Sequence, residues 1–231
     1  MSTNPTDSST MDFEAFYQGE SPVEGMTFAA VPWDIGAVQP VVVDCERAGR
    51  ISGSVLDAGC GLGDNAIHLA KLGYQVVAVD VAPTAVEWAR KRADAAGADA
   101  VFEVADATSL AAYEGRFDTL LDSALYDVLD AEQRRAYAAA LHRAGRPGSR
   151  LNLFCFADTM PFDLPGVYRI SADELHGTLG GAGWRITDLR IGTYLVNTVA
   201  GEFFSRAGIP VDKDELGRPK LPAWICEAER D

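Results

Sequence analysis

Residues 55–64 read VLDAGCGLGD, and this stretch decides the fold of the 231-residue chain. Its apolar, β-branched beginning predicts a buried strand, and its three alternate glycines predict a tight turn. Apolar residues then recur at the spacing of a helix face, at Ile67, Leu69 and Leu72. A strand, a glycine turn and a helix in this order are typical of the ligand edge of an open α/β sheet, where backbone approaches a nucleotide-like ligand closely.

Two later strand patterns place acids at the same edge of the predicted sheet. The run QVVAV (75–79) leads into Asp80, and AVFEV (100–104) is followed by Asp106. Open α/β sheets bind ligands at the carboxyl ends of their parallel strands. A carboxylate at Asp80 can accept from both hydroxyls of a ribose, and Asp106 lies where an adenine amino group needs an acceptor.

The glycine spacing distinguishes two kinds of cofactor. A dinucleotide site has G-x-G-x-x-G, whereas this chain has G-x-G-x-G and carries Asp64 where the third glycine would stand. Asp57 and Asp64 flank the turn, and carboxylates favour a cofactor with an ammonium and a sulfonium over one with two phosphates. We therefore expect S-adenosylmethionine and its product S-adenosylhomocysteine as ligands, rather than NAD.

From Val55 to Ser123 the motifs resemble those of class I S-adenosylmethionine-dependent methyltransferases, in the same order: VLDAGCGLG, VVAVD, VADAT and FDTLLDS. The segments AVPWDIGAVQP (30–40) and LPAW (221–224) extend the resemblance to the small-molecule group that includes thiol and thiopurine methyltransferases, and most closely to the heterocyclic toxin methyltransferases of mycobacteria. The resemblance covers residues 13 to 229. It implies methylation of a small aromatic or heterocyclic acceptor, with oxygen favoured over nitrogen or sulfur.

Alternating strand and helix patterns predict an α/β fold with a Rossmann-like, doubly wound, seven-stranded mixed sheet. The resemblance implies an antiparallel C-terminal edge and an N-terminal lid. We expect a disordered tail at 1–11, a lid and entrance segment at 12–50, and a methyltransferase domain at 51–231, within a single domain overall. The predicted helices lie near 39–49, 63–73, 83–97, 131–145 and 172–182. The later strands are predicted near 117–122, 150–157, 184–192 and 221–228.

The spacing and the resemblance together assign the cofactor contacts. Glycine backbone should lie against the methionine portion and the ribose, and an apolar residue after the second strand should pack on adenine. Trp33 either contacts the methionine end, as the resemblance implies, or is a hydrophobic anchor. Asp57 either orients the turn or reaches the amino group through water. The predicted cofactor-binding residues are Trp33, Asp57, Gly59, Gly61, Gly63, Asp80, Val81, Asp106, Ala107 and Asp122.

The acceptor side departs from the resemblance. The group often carries a histidine after the fourth strand, whereas the matching position here is Asp127. Asp127 or Tyr126 would have to act as the catalytic base if one is required, and Asp127 could equally be a helix N-cap. An acceptor that ionises near or below pH 7 needs no base.

An aromatic wall is predicted around the acceptor. Each member alone could be ordinary core, but the members concentrate in the N-terminal segment, the loops after strands and the insertion at 193–220, which suggests a lid. They are Phe13, Phe16, Tyr17, Phe156, Met160, Phe203 and Phe204.

Composition excludes several classes of function. The formal charge is −14 with no basic cluster, which argues against nucleic acid as a partner. No apolar run approaches ~20 residues, so we expect a cytoplasmic protein without a membrane segment. The cysteines and histidines show no ligand spacing, so no metal is expected. A monomer or homodimer is equally compatible with the sequence. A repurposed or non-catalytic cofactor-binding protein and a thiol S-methyltransferase remain as alternatives.

Overall fold

The computed structural model describes residues 12–20, 31–164 and 166–231, so the predicted tail at 1–11 lies outside the described residues. One sheet contains β1 Ser54–Ala58, β2 Gln75–Asp80, β3 Ala100–Val104, β4 Phe117–Ser123, β5 Gly145–Phe156, β6 Trp184–Leu195 and β7 Lys220–Arg230. The helices are α1 Phe13–Gln18, α2 Pro40–Arg47, α3 Asp64–Lys71, α4 Pro83–Ala96, α5 Ala131–Ala144, α6 Ala172–Gly181 and α7 Thr198–Arg206.

The strand order is β3-β2-β1-β4-β5-β7-β6. Strands β1 to β5 are parallel, and β7 runs antiparallel between β5 and β6. The predicted seven-stranded mixed sheet with an antiparallel C-terminal edge is therefore confirmed. Because β6 points the same way as β5, six strands end at one edge of the sheet. The order reverses between β1 and β4, which is where open α/β sheets place their ligands.

Both faces of the sheet are covered, which explains why its central strands are continuously apolar. Val55 packs into the core beneath α2, α3 and α4, while the next residue, Leu56, packs into the core beneath α5 and α6. Both side chains are fully buried. Successive strand residues thus pack into two cores on opposite faces of the sheet. The ends of the strands lie outside these cores and can form a site.

Most predicted boundaries lie within two residues of the observed ones, with three exceptions. The strand predicted near 150–157 begins five residues earlier, at Gly145. The strand predicted near 184–192 continues to Leu195, and the sequence did not delimit the short helices α1 and α7. Ser171 caps α6, since its hydroxyl accepts from the Glu174 N–H at 3.2 Å. The Glu174 carboxylate pairs with Arg134 at 2.8 Å instead of returning to the cap.

Candidate active site

A cleft of ≈ 300 Å³ lies at the sheet edge where the parallel strands end. It is lined by Phe13, Tyr17, Trp33, Gly59, Asp80, Val81, Ala105, Asp106, Ala107, Thr108, Ser123, Ala124, Leu125, Val128, Leu129 and Gln133. A narrower recess of ≈ 50 Å³ continues along the glycine turn, lined by Trp33, Asp34, Ile35, Ala37, Gln39, Gly59, Cys60, Gly61, Leu62, Gly63, Asp64, Asn65, Ser123 and Tyr194. Three residues line both parts, so the cleft and the recess form one elongated site.

The glycine turn joins β1 to α3 and forms one wall of the recess. Gly61 has a φ of +52°, and a Cβ there would lie 3.0 Å from the Tyr17 hydroxyl. Gly63 has a φ of +85°, and a Cβ there would lie 2.7 Å from the Phe102 ring. A larger residue at either position would therefore strain the backbone and push it away from its neighbours.

Asp80 ends β2 and holds the turn from below. Its Oδ2 accepts from the Gly61 N–H at 2.8 Å, and its Oδ1 accepts from the Ala82 N–H at 3.0 Å. Burial raises the pKa of Asp80 above its ordinary value, although these backbone bonds oppose the shift. Each carboxylate oxygen can accept more than one hydrogen bond, so Asp80 can hold the turn and still bind a ligand.

The far end of the cleft is formed by the loops after β2 and β3. Val81 is 59% exposed there and presents an apolar surface. Asp106 accepts from the N–H and the hydroxyl of Thr108 at 2.8 and 2.7 Å. This local turn fixes the Asp106 carboxylate beside Ala107 at the edge of the cleft.

Helix α1 lies over the cleft and is fastened to α4. The N-cap of α4, Ala82, provides no side-chain cap. Glu14 from α1 supplies the missing acceptor, because its carboxylate accepts from the Thr84 N–H at 3.1 Å and also bonds the Thr84 hydroxyl. A negative charge at a helix N-terminus is favourable as well.

An aromatic cluster, which we call the aromatic lid, covers the junction of the cleft and the recess. Trp33 is its centre, with ring centroids 6.1, 5.0 and 6.3 Å from those of Phe13, Phe16 and Tyr17. The Trp33 Nε1–H donates to the Tyr17 hydroxyl at 3.1 Å. The lid therefore joins α1 to the entrance segment by packing and by a hydrogen bond.

Arg92 of α4 connects the entrance segment to the turn. Its guanidinium bonds Asp34 at 2.9 Å and Asp64 at 2.8 Å. Burial raises the pKa of Asp64 to about 6, despite the nearby guanidinium. Asp64 is therefore paired with a guanidinium and does not present an unpaired charge to the recess.

Two hydroxyl groups meet where the cleft and the recess join. The Ser123 Oγ lies 2.9 Å from the Tyr194 hydroxyl, which also donates to the Ser123 carbonyl at 3.2 Å. Ser123 ends β4, and Tyr194 lies one residue before the end of β6.

Comparison with known proteins identifies the family. A methyltransferase domain family matches residues 55–148. A 2-heptyl-1-hydroxyquinolin-4(1H)-one methyltransferase of Mycobacteroides abscessus is 32% identical over 225 residues, which are 95% of this chain and 96% of that protein. The chain belongs to the S-adenosylmethionine-dependent methyltransferases.

Two further similarities differ in extent. A solved structure described as "Conversion of a Disulfide Bond into a Thioacetal Group during Echinomycin Biosynthesis" has a TM-score of 0.78 and 39% identity to the methyltransferase, covering 95% of this chain and 91% of that one. A probable thiol methyltransferase 2 of Arabidopsis thaliana is 26% identical over 129 residues, which are 55% of this chain and 57% of that protein. The first similarity spans the full fold, whereas the second spans about half of each chain.

Buried carboxyl groups lie beneath the cleft of the methyltransferase without lining it. Burial raises the pKa of Asp57 and of Asp122 to about 7. Asp122 Oδ1 accepts from the Leu125 N–H at 2.9 Å, while neither Asp57 oxygen has a hydrogen-bond partner in the described part of the chain. Both predicted cofactor residues therefore stand under the turn and the β4 end, one layer below the cleft.

Asp127 and Tyr126 are also enclosed. Asp127 Oδ2 accepts from the Phe156 N–H at 2.6 Å, which joins the loop after β4 to the end of β5. Burial raises the pKa of Asp127 to about 8. Tyr126 is fully buried beneath the guanidinium of Arg134, and neither residue lines the cleft. The N-cap of α5 is Asp130, so the alternative that Asp127 is an N-cap is wrong.

The predicted aromatic wall divides into two groups. Phe13 and Tyr17 line the cleft, and Phe16 packs behind them against Trp33. The C-terminal members do not line the cleft or the recess: Phe156, Met160 and Phe204 are buried in the core, and Phe203 lies on α7. The apolar wall opposite the lid comes from Leu125, Val128 and Leu129 after β4.

Sequence reasoning missed the Ser123–Tyr194 pair, although a signal existed. Ser123 is the last residue of the FDTLLDS motif, and β6 is parallel to β4, so its end reaches the same edge of the sheet. Stopping the predicted strand at 192 left Tyr194 unnoticed.

Two absences apply to the described residues. In the ranges 12–20, 31–164 and 166–231, no three His, Cys, Asp or Glu side chains are grouped so as to hold a metal ion. Over the same ranges, no helix has the length and apolar character needed to cross a bilayer.

Proposed function

We propose that this methyltransferase transfers the methyl group of S-adenosylmethionine to an oxygen of a small aromatic or heterocyclic acceptor, with nitrogen and sulfur less favoured. The observation that carries the proposal is the two-part cleft, where Asp80 and the glycine turn lie beneath an aromatic lid. The full-length relative named for a hydroxyquinolinone supports an acceptor of this kind.

The residues fit the cofactor. In the described part of the chain, no Lys, Arg or His lines the cleft or the recess, so a sulfonium and an ammonium meet no like charge there. We infer that Asp80 accepts from the ribose hydroxyls. The adenine is assigned to Val81, Asp106 and Ala107, and the methionine portion to Trp33, Gly59, Gly61 and Gly63, with Asp57 and Asp122 supporting the turn from below.

S-adenosylmethionine supplies an electrophilic methyl group on a positively charged sulfur when it is bound. The chain contributes alignment and the exclusion of water, through α1 and the aromatic lid on one side and Leu125 and Leu129 on the other. Holding two reactants in line can account for roughly 7–11 kcal/mol of a barrier.

The carboxyl groups that line the site are already engaged. Asp34 and Asp64 share the Arg92 guanidinium. Asp80 holds the turn and is assigned to the ribose, and Asp106 accepts from Thr108 and is assigned to the adenine. A protonated acceptor would therefore find no ready base. We propose that the acceptor enters ionised, as an acidic hydroxyl or N-hydroxyl group.

Replacing Asp80 tests the cofactor assignment. Asp80→Ala should weaken S-adenosylhomocysteine binding by about ten- to a hundredfold, because hydrogen bonds to a charged acceptor are lost. Calorimetry measures this, with Asp94→Ala, an exposed acid on α4, as the matched control. Unchanged affinity in Asp80→Ala, or binding of NADH without binding of either adenosyl compound, would reject the assignment.

A panel of acceptors tests the reaction. The purified protein is incubated with methyl-labelled S-adenosylmethionine and hydroxyquinolinones, hydroxyquinones, phenols or thiols. Label on oxygen supports the proposal, and label on thiols alone contradicts it. Cofactor binding without label in any acceptor would instead favour a repurposed binding protein.

A sulfur acceptor is the second candidate, favoured by the 39% identity to the structure from echinomycin biosynthesis. A neutral sulfur has a lone pair available at every pH, so it also needs no base for its attack on a methyl group. The pH profile distinguishes the two candidates. Turnover should rise through the acceptor's own pKa for an acidic hydroxyl and should show no such limb for a neutral sulfur.

A further inference from the structure

The hydroxyl pair of Ser123 and Tyr194 has no part in the assignments above. Ser123 lines both the cleft and the recess, and Tyr194 lines the recess. The pair thus stands at the junction between the turn and the wider cleft, where the methyl group and the acceptor atom must meet if the cofactor lies as proposed.

Contacts on both Tyr194 and the residue after it hold the tyrosine side of the pair in place. The Phe156 ring meets the Tyr194 ring edge-on at 5.7 Å. Gln39 fixes the next residue, because its Nε2–H donates to the Leu195 carbonyl at 2.9 Å and its Oε1 accepts from the Leu195 N–H at 3.4 Å. Gln39 is itself 3% exposed, so the end of β6 cannot shift freely.

A count of protons shows what the pair can do. Each hydroxyl has one proton, and the Tyr194 O–H can donate its proton to the Ser123 Oγ, 2.9 Å away. The Ser123 proton is then free to point at a bound ligand, while its Oγ remains beside Tyr194. Burial raises the pKa of the Tyr194 hydroxyl, so Tyr194 stays a donor and does not act as a base.

No Lys, Arg or His of the described ranges lines the cleft or the recess, and the nearby Arg92 guanidinium is paired with Asp34 and Asp64. Asp57, Asp122 and Asp127 lie near the tyrosine, and the recess adds the titratable groups Asp34, Cys60 and Asp64. An anionic acceptor therefore depends on neutral donors and on the positive charge of the cofactor. A preorganised hydroxyl donor is the kind of group that stabilises such an anion.

We propose that Ser123 donates a hydrogen bond to the ionised oxygen of the acceptor and that Tyr194 is a positioning residue for Ser123. This inference rests on the proposed function. The hydrogen bond favours the anion over the neutral acceptor, so it lowers the pKa of the bound acceptor and aligns its oxygen. Sulfur accepts hydrogen bonds weakly, so the pair also selects for oxygen.

The experiment measures kcat and KM against pH with a 1-hydroxyquinolin-4-one as acceptor. Because kcat reports ionisations in the bound complex, Ser123→Ala should move its acid limb upward by about one pH unit. KM should rise about tenfold, and S-adenosylhomocysteine affinity should stay within about twofold. Tyr194→Phe should shift the limb in the same direction by less, and Ser123→Thr, which keeps the hydroxyl, should restore it.

Matched controls are Ser205→Ala, an exposed hydroxyl on α7, and Tyr74→Phe, which loses a hydroxyl bonded to Glu46 far from the cleft. Melting temperature and cofactor affinity report folding, and Tyr194→Phe provides the result if Ser123→Ala does not fold. An unmoved acid limb with active enzyme overturns the inference alone. Absence of oxygen methylation in the unmodified protein overturns the proposed function and this inference with it.

Discussion

Asp127 occupies the position where the resemblance led us to expect a catalytic base. Its Oδ2 accepts the Phe156 N–H inside the protein, and an asparagine oxygen could accept the same bond. We predict that Asp127→Asn lowers kcat by less than about tenfold and leaves the pH profile with an acidic acceptor unmoved. Steady-state kinetics across pH measures both effects. A loss of about a hundredfold, together with a lost pH limb, would restore Asp127 as the general base.

Single residues were predictable from the sequence where a motif fixes their position. Asp80 and the three glycines follow from strand ends and turn geometry, and they line the observed cleft or recess. The ion pair of Asp64 could not be predicted, because its partner Arg92 lies 28 positions away on another helix. The Ser123–Tyr194 contact spans 71 positions, so the motif that places Ser123 at a strand end does not by itself identify its partner.

Helix α1 supplies the N-terminal cap that helix α4 lacks. Glu14 caps α4 from outside, so its carboxylate couples closure of the lid to a helix N-terminus. We predict that Glu14→Gln raises the KM for the acceptor several-fold, because a neutral amide interacts less strongly with the helix N-terminus. Kinetics at low and high salt measure the effect, with exposed Glu20→Gln as the control. Equal behaviour of the two variants would show that α1 closes the site by packing alone.

Removal of the whole element is the stronger test of the same idea. Deleting residues 1–20 removes Phe13 and Tyr17 from the cleft and Glu14 from α4. If alignment and the exclusion of water dominate catalysis, this deletion should lower turnover more than Asp127→Asn does on the same acceptor. The opposite ranking would contradict a mechanism that relies on alignment without a base. Cofactor affinity of the truncated protein serves as the control for folding.

The sequence predicted the helices and strands better than it predicted which side chains line the cleft. Strand and helix alternation is a local pattern, so the elements and most of their boundaries could be anticipated. The position of Phe156, Met160 and Phe204 in the core could not be anticipated, since a large apolar side chain suits a core and a ligand wall equally well. The Phe204 ring of α7 packs against Phe162 with centroids 5.1 Å apart, and the Phe156 ring packs against Tyr194.

At the scale of the whole molecule, acidic groups are in excess, and three of them lie directly beneath the proposed cofactor site. The formal charge is −14, and Asp57, Asp122 and Asp127 are buried under the strand ends. Such a group of acids is unfavourable in an empty protein, because burial opposes ionisation of each carboxyl. A cationic cofactor above these carboxyl groups would favour their ionised forms. The proposed ligand would therefore offset part of the cost of burying them.

This arrangement predicts how stability depends on pH. Burial raises the pKa of Asp57 from 3.8 to about 7, so the folded protein holds this proton more tightly than the unfolded chain does. The stability from the protonated carboxyl is present below about pH 4 and is lost as the pH rises through about 7. Asp57→Asn cannot titrate, so the melting temperature of the ligand-free variant, relative to that of the unmodified protein, should rise from pH 5 to about pH 7 and then level off. Other groups titrate in this range, so the difference between the two curves is the quantity to measure, with Asp94→Asn as the control. Parallel curves for Asp57→Asn and the unmodified protein would mean that Asp57 is ionised in the folded state throughout this pH range. That result would contradict a raised pKa for the buried carboxyl beneath the cleft.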